Sequence, residues 1–475
     1  LTPQLLADMK QALGGYFKQT HPTAHVVFPE QNAVNGVVQV VISPMILGEV
    51  RYKGNEWYSD AYLSRYLHLD SGKEIAEDTL LNDFSWTNRN PFQRLSVAYV
   101  PSKVPGVMDL EITTKDRMPV RIYARSDNTG NASTGYVKFA TGFSWGNAFG
   151  IGDLFTYEYG TSNIQKRVML HRINYTSFLP WRHVLTISSN FNLTKPQVKK
   201  AQSRSINYGS RLRYTIPFQP LFIPLAQDIT FGGDWKYYYN RNFSERTRKT
   251  KYKRLNETIL YLGYTISDTI GRHNFNLSFE NYWSPGGFLK HSTNKNYFRY
   301  RPGAKNHFDY FSLTAGYTYY LPWDFALATV ARVQRANRTL PSSEQFSIGG
   351  YSTVRGYRES VVSFDNGFTG NVELRTPPIS FFRKLKDQLI FLGFADYGKG
   401  TDFKAAKRAS RTAKKNHVNQ HLASTGAGVR YNLNPYIAFR ADYGFKLHSL
   451  YTTNKQERQQ ARGIGRWHLG LLLSY

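Results

Sequence analysis

Few residues in this 475-residue sequence are spaced for covalent chemistry. Gly142-Phe143-Ser144-Trp145-Gly146 matches the G-x-S-x-G pattern that presents a nucleophilic serine. That chemistry needs a strand-to-helix turn and histidine and acid partners, whereas here the motif closes a predicted strand beside a tight turn. His417 and His421 stand four apart, the spacing of two metal ligands on one helix face, but they lie in a Lys-rich stretch without neighbouring carboxylates. A solvated loop explains them better, and no metal is expected. With no cysteine, thiolate nucleophiles, thiolate metal sites and disulfides are excluded. No paired-carboxylate or phosphate-cradling arrangement stands out, so neither an enzyme nor a cofactor is expected. The asparagine sequons, including Asn192 and Asn276 within predicted strands, are not read as glycosylation sites.

Charge points to a surface rather than a reaction. The formal net charge is +28, yet residues 1–118 hold 11 basic and 13 acidic side chains, so the whole excess lies in 119–475. It falls in separated clusters: Arg246, Arg248, Lys249, Lys251, Lys253 and Arg254; Lys404, Lys407, Arg408, Arg411, Lys414 and Lys415; and Lys455, Arg458, Arg462 and Arg466. Alternating apolar stretches separate these clusters. Loop tips facing an anionic surface fit that distribution better than one phosphate-tracking stripe, and nucleic acid is not expected as a partner.

Two periodicities divide the chain. Before residue 119 the pattern is mixed. Leu5, Leu6, Met9, Leu13 and Phe17 recur at helical spacing, and strands are predicted at 25–29 and 37–43 about a turn at 32–35. A second unit follows: a strand from Met45 to about Lys53, helices near 59–67 and 76–86, and strands at 95–100 and 107–113. We read 1–43 as the back part of one small α+β domain and 44–118 as a second. Position 1 opens into an amphipathic segment without a basic start, apolar core or cleavage site, so any export signal is expected to have been removed.

From Val120 onward the period is two. Trp467, Leu469, Leu471, Leu473 and Tyr475 alternate with Arg466, His468, Gly470, Leu472 and Ser474. Ile437, Phe439, Ala441, Tyr443 and Phe445 alternate with Tyr436, Ala438, Arg440, Asp442 and Gly444, and Val372 and Leu374 with Asn371, Glu373 and Arg375. Successive strand side chains point to opposite faces, so each segment has one apolar face and one polar or small face. No apolar run approaches the ~20 residues of a spanning helix. Repeated amphipathic segments of about ten residues with aromatic ends are the pattern of a transmembrane β-barrel. A soluble β-sandwich also alternates, but it would have to accommodate about sixteen strands and a charged inner face.

The connections are predicted at 127–133, 145–150, 160–166, 178–181, 194–204, 217–227, 241–254, 267–273, 283–306, 321–324, 335–368, 377–388, 399–421, 432–435 and 447–466, which implies sixteen strands over 119–475. Odd-numbered connections tend to be long and carry the basic clusters, and most even ones are tight. Short periplasmic turns and long outer loops then place both chain ends in the periplasm.

Within the eleventh connection lies Gly349-Gly350-Tyr351-Ser352-Thr353-Val354-Arg355-Gly356-Tyr357. It resembles the VRGY/F loop motif of two-partner secretion transporters, the TpsB family, and of their barrel-assembly relatives. Phe394-Ala395-Asp396-Tyr397-Gly398 is similar to the family's F-x-D-x-G motif on the facing strand, and Asn88-Arg89-Asn90-Pro91-Phe92 to the NRNPF motif of its second POTRA (polypeptide-transport-associated) domain. Gln93 departs from the arginine often found after NPF, Tyr475 from the usual terminal phenylalanine, and no segment is read as the family's plug helix.

The resemblance implies α+β POTRA domains followed by a sixteen-stranded outer-membrane barrel with an inward-folded loop at 337–368. It implies that Arg355, flanked by Val354, Gly356 and Tyr357, pairs with inward-facing Asp396, with Phe394 and Gly398 on the same strand. It further implies that Asn88, Arg89, Asn90, Pro91 and Phe92 help dock an unfolded exoprotein, which leaves through the barrel without nucleotide hydrolysis. The cargo would be a large adhesin, haemolysin or contact-dependent inhibition toxin. Outer-membrane lipid and lipopolysaccharide would surround a monomer that uses no cofactor. A barrel-assembly insertase, a passive porin and, more distantly, an outer-membrane phospholipase are the alternatives.

Overall fold

The computed structural model describes residues 8–9, 11–12, 16, 24–27, 39–44, 46–104, 106–198, 201–218, 225–382, 385–403, 419–449 and 464–475. Most of the predicted first helix, the turn at 32–35, His417, the basic run from Lys404 to Lys415, and Lys455, Arg458 and Arg462 lie outside them. The chain forms two compact units, one of Leu1–Val120 with Trp145–Leu154, the other of Arg121–Ser144 with Phe155–Tyr475.

In the first unit, β1 (Ala24–Val27) pairs with β2 (Val41–Pro44). A separate sheet has the order β3-β5-β4, built from β3 (Ile46–Lys53), β4 (Gln93–Pro101) and β5 (Val107–Asp116). β3 runs parallel to β5, and β4 antiparallel to it. Between β3 and β4 come α1 (Asp60–Ser64) and α2 (Glu77–Thr87). Ser59 caps α1 by accepting from the Tyr62 N–H, and Glu77 and Asp78 place negative charge at the positive end of α2. Leu63, Leu80, Phe84, Leu95, Leu110 and Ile112 are buried and form the core of this α+β domain.

Sixteen antiparallel strands close into a barrel, which apart from Val120 and Trp145–Leu154 makes up the second unit. They are β6 (Val120–Asp127), β7 (Lys138–Ala148), β8 (Asp153–Ser162), β9 (Val168–Phe178), β10 (Val184–Thr194), β12 (Ala201–Phe218), β13 (Ala226–Ser244), β14 (Lys249–Ile270), β15 (His273–Ser284), β16 (Phe308–Tyr320), β17 (Ala326–Ala336), β20 (Asn366–Arg375), β21 (Gln388–Thr401), β22 (Asn419–Leu433), β23 (Ile437–Lys446) and β24 (Gly465–Ser474). The two-residue β11 (Gln197–Val198) extends the β10–β12 hairpin, and β24 closes the barrel on β6. A further pair, β18 (Phe346–Ile348) and β19 (Val362–Phe364), belongs to the eleventh connection.

Alternation is plain on β21. Leu392, Phe394, Asp396, Gly398 and Gly400 are buried, whereas Phe391, Gly393, Ala395, Tyr397 and Lys399 are exposed. Outward apolar residues such as Leu262, Leu374 and Leu471 belong to the lipid-facing band.

Two readings of the outer connections change. The basic residues Lys249, Lys251, Lys253 and Arg254 stand on β14 rather than on a loop, and only 245–248 turn. Polar residues on both faces hide the period there, while the backbone ladder to β13 continues from Ser244↔Lys249. The ninth connection also contains a short helix, α3 (Asn294–Tyr300), capped by Thr293 and anchored by buried Tyr297.

Candidate functional site

The site begins with a loop that enters the barrel and a wall shaped to receive it. The loop runs from Asn337 to Asp365, and its β18–β19 hairpin carries Val354-Arg355-Gly356-Tyr357 at one end. Val354, Tyr357, Ile348, Phe364 and Leu422 form a buried cluster, so the loop has an apolar core of its own against β22. Gly356 adopts φ +86°. A Cβ there would lie 2.7 Å from the Gly444 carbonyl oxygen, so the turn requires both positive φ and the absence of a side chain. A Cβ on Gly398 would come within 2.6 Å of Ile348 and 2.9 Å of Val354.

Arg355, 2% exposed, is held by three carboxylates from three strands. Asp396 on β21 accepts from Nε at 2.8 Å and Nη2 at 2.7 Å, and its Oδ2 also accepts from the Arg355 main-chain N–H at 2.9 Å. Glu373 on β20 accepts from Nη1 at 2.6 Å, and Asp442 on β23 lies 3.8 Å from Nη1. The guanidinium centre stands 3.5 Å from the Phe394 ring centroid, a cation–π contact beneath the fork. The network is neutral in sum, because Arg375 donates to Glu373 at 2.9 and 2.7 Å and Arg430 to Asp442 at 2.6 and 2.9 Å. Asn371 adds a 2.9 Å bond to Asp396 and a second to the Thr353 carbonyl. Gly356 donates its N–H to His468 Nε2 at 2.9 Å, which assigns that nitrogen as an unprotonated acceptor.

The same loop is tied down elsewhere. Lys236 and Tyr310 donate to Glu344 at 2.7 and 2.8 Å, and Ser343 donates to buried Glu257 at 2.8 Å. Arg301, from the ninth connection, donates to the Leu340 carbonyl at 2.6 Å, to both oxygens of Asp365, and to Asp402 at 2.9 Å. Connections nine, eleven and thirteen thereby meet on one guanidinium.

Of the residues singled out from sequence, Val354, Arg355, Gly356, Tyr357, Phe394, Asp396 and Gly398 come together on the inner wall. Glu373, Asp442, Arg430, Asn371 and His468 belong to the same assembly but were not assigned to it. Their inward parity was legible for β20, β23 and β24, but which inward charge meets which depends on strand register.

Asn88 to Phe92 lie in the first unit. Asn88 ends α2 and exchanges two hydrogen bonds with the Leu95 backbone. Asn90, 1% exposed, directs its side-chain nitrogen at the Tyr58 hydroxyl (3.2 Å) and at the carbonyls of Gly146 (2.8 Å) and Gly152 (3.0 Å), and its Oδ1 accepts from the Phe92 N–H. Phe92 is buried, and a Cβ on Gly146 would fall 2.0 Å from its ring. Arg89 stacks on Trp86 at 4.9 Å and Arg117 on Phe92 at 5.2 Å. Only Arg89 and Pro91 of the motif are exposed. Asn88, Pro91, Arg94, Lys115 and Arg117 help line a cleft of about 460 Å³. Ser144 of the G-x-S-x-G match lies within β7, where its Oγ accepts from Thr156 at 3.1 Å. His421 stacks on His448 with ring centroids 3.9 Å apart.

Comparison with known proteins resolves the family. The profile of haemolysin secretion/activation proteins (ShlB/FhaC/HecB) matches residues 106–431. The chain belongs to this family. It is therefore an outer-membrane transporter of the TpsB type, which moves TpsA-type exoproteins in two-partner secretion, with its POTRA region in the periplasm. The transporter is 25% identical over 434 residues to the heme/hemopexin transporter protein HuxB of Haemophilus influenzae strain 86-028NP, covering 88% of this chain and 73% of that protein. It is 23% identical over 168 residues to the outer membrane transporter CdiB-2 of Burkholderia pseudomallei strain 1026b, which covers 34% of this chain and 27% of that one. Its fold matches CdiB from Escherichia coli with a TM-score of 0.72 at 16% identity, covering 100% of this chain and 85% of the other. CdiB from Acinetobacter baumannii matches with a TM-score of 0.66 at 16% identity, over 100% and 82%. Members of this family are secretion transporters rather than a known class of enzyme.

Proposed function

We propose that the loop pinned through Arg355 is the resting-state gate of the transporter, and that cargo passes only when the loop leaves the inner wall. The observation that carries this reading is the convergence of Asp396, Glu373 and Asp442 on one buried guanidinium borne by a loop inside the pore. A buried pair of this kind fixes one arrangement more than it adds stability, and breaking it by removing one partner costs about 3–5 kcal/mol. That combination suits an element with two positions.

Residues 44–118 act as the receiving domain. An extended exoprotein segment adds to the free edge of β4 beside the cleft of Arg94, Lys115 and Arg117, gaining main-chain hydrogen bonds without a deep pocket. Arg89 and Pro91 are the motif residues available to touch it; Asn90 and Phe92 hold the domain together. The cargo is a large exoprotein of the adhesin, haemolysin, hemopexin-binding or contact-dependent inhibition class, threaded outward by a catalytically inert monomer. Outer-leaflet lipopolysaccharide is a second partner, supported by exposed cations at the outer ends of β12–β14.

The absence of cysteine from the sequence makes the gate directly testable. A Val354→Cys/Gly398→Cys pair should staple loop to wall. Export of a cognate exoprotein should stop under oxidising conditions and recover with a reductant, whereas undiminished export by the stapled protein would refute the gate.

A further inference from the structure

β12, β13 and β14 contain 18, 19 and 22 residues. Crossing the hydrocarbon layer takes about 9–11 tilted residues, so these strands continue past it. The link from β13 to β14 is the seventh connection, on the side opposite the periplasm, and the excess length therefore reaches the outer leaflet.

The outward side of this extension is ordered in rows. A chain of rings runs around the wall through Tyr159, His171, Phe191, Tyr208 and Tyr237, with successive centroids 5.2, 6.0, 5.0 and 6.3 Å apart. Such a girdle marks the edge of the apolar layer. Below it lie exposed Leu212, Phe231 and Leu262. Above it, register sets Ile206 opposite Tyr239 and Tyr239 opposite Arg254; one row further, Arg204 faces Arg241 and Arg241 faces Tyr252.

Arg204, Arg241 and Arg254 are exposed and form no ion pair among the described residues. Glu245 is the sole carboxylate in 235–256, against seven basic residues in 241–254. Arg204 and Arg241 are like charges directly opposite on neighbouring strands, an arrangement that destabilises a sheet unless an anion lies between them. Guanidinium forks match phosphate oxygens in pairs, and Tyr239 and Tyr252 offer ring faces beside them.

We propose that Arg204, Arg241 and Arg254 form a specific headgroup site for a phosphorylated outer-leaflet glycolipid of the lipid A type. Its phosphates sit on the three guanidinium groups, and its acyl chains lie down the wall past Tyr208, Tyr237 and Leu212. This deepens the lipid partnership proposed above and rests on the outer-membrane placement of the barrel, but not on the gate.

The test measures binding of fluorescent bis-phosphorylated lipid A to the full-length transporter in detergent. The variant Arg204→Gln/Arg241→Gln/Arg254→Gln should lose about tenfold or more in affinity, because each charge-assisted bond is among the stronger kind. A control that removes equal charge, Lys455→Gln/Arg458→Gln/Arg462→Gln, should bind like the parent. Dephosphorylated lipid A should bind the parent no better than bis-phosphorylated lipid A binds the triple-arginine variant. Heat-dependent gel migration verifies that each variant retains its barrel. Unchanged binding by the arginine variant would overturn the site, as would equal loss in both variants, which reports net charge alone. Equal binding of phosphatidylglycerol, or displacement by inorganic phosphate or oligonucleotide, would also overturn it. Export plays no part in this assay, so a failed gate leaves its outcome intact.

Discussion

Asp396 receives three hydrogen bonds from Arg355, two from the guanidinium and one from its main-chain N–H. The two partners are therefore not equivalent. Alanine at 355 removes the fork but leaves a main-chain donor facing the carboxylate. Alanine at 396 deprives loop and guanidinium together.

Asp396→Ala should accordingly disturb the loop more than Arg355→Ala, each by about 3–5 kcal/mol or less where the loop escapes to solvent. Arg355→Lys should rescue poorly, since an ammonium cannot form the fork. Planar-bilayer conductance should rise in the order Arg355→Lys, Arg355→Ala, Asp396→Ala. Equal, parent-like conductance in all three, with normal export, would remove the arginine from gating.

Gly398→Val adds bulk where even a Cβ stands 2.6 Å from Ile348 and 2.9 Å from Val354. Overpacking of this kind costs about 1–3 kcal/mol. Protease should cut the 337–365 loop faster in this variant while the barrel stays folded, and Gly393→Val, where nothing lies within 4 Å of the added Cβ, should behave like the parent.

Asn90→Ala should destabilise the first unit by about 1–3 kcal/mol, because it removes the side-chain donor to the buried Gly152 carbonyl and one of the two, with Tyr58, that serve Gly146. Asn90→Asp should be worse, since it turns an oxygen toward both carbonyls. Differential scanning fluorimetry of the two variants ranks them; a fall in cargo binding without loss of stability would instead favour direct docking at Asn90.

Burial and the neighbouring Asp365 carboxylate push Asp402 up to about 6, against the lowering influence of Arg301. A carboxyl whose folded value is raised contributes stability below its unfolded value near 4, and that contribution is lost as pH rises through about 6. The junction of connections nine, eleven and thirteen should thus be more protease-resistant at pH 5 than at pH 7.5. Asp402→Asn should flatten this dependence.

Much of this was legible in the chain because a strand has only two faces. On β21, knowing that Asp396 points inward places Phe394 and Gly398 inward and Tyr397 outward without further information. The same rule fails at 249–254, where Lys, Thr and Tyr alternate above the apolar layer and no burial difference marks the strand. The partners Glu373, Asp442 and His468 come from three different strands, brought to one point by register and by the stagger of a closed barrel. NRNPF was read as a contact surface, yet Asn90 and Phe92 are largely spent on internal bonds and packing. Short polar motifs do not announce which of their members face inward.

Gly398 on β21 and Gly444 on β23 lie beneath the Val354–Gly356 turn. Withdrawal of that turn would uncover those two glycines together with Asp396, Glu373 and Asp442, which the guanidinium now covers. A travelling polypeptide would then meet a hydrated wall of fixed charge that gives apolar side chains little to adhere to, the surface needed by a conduit that must let every residue of a very long chain slide past.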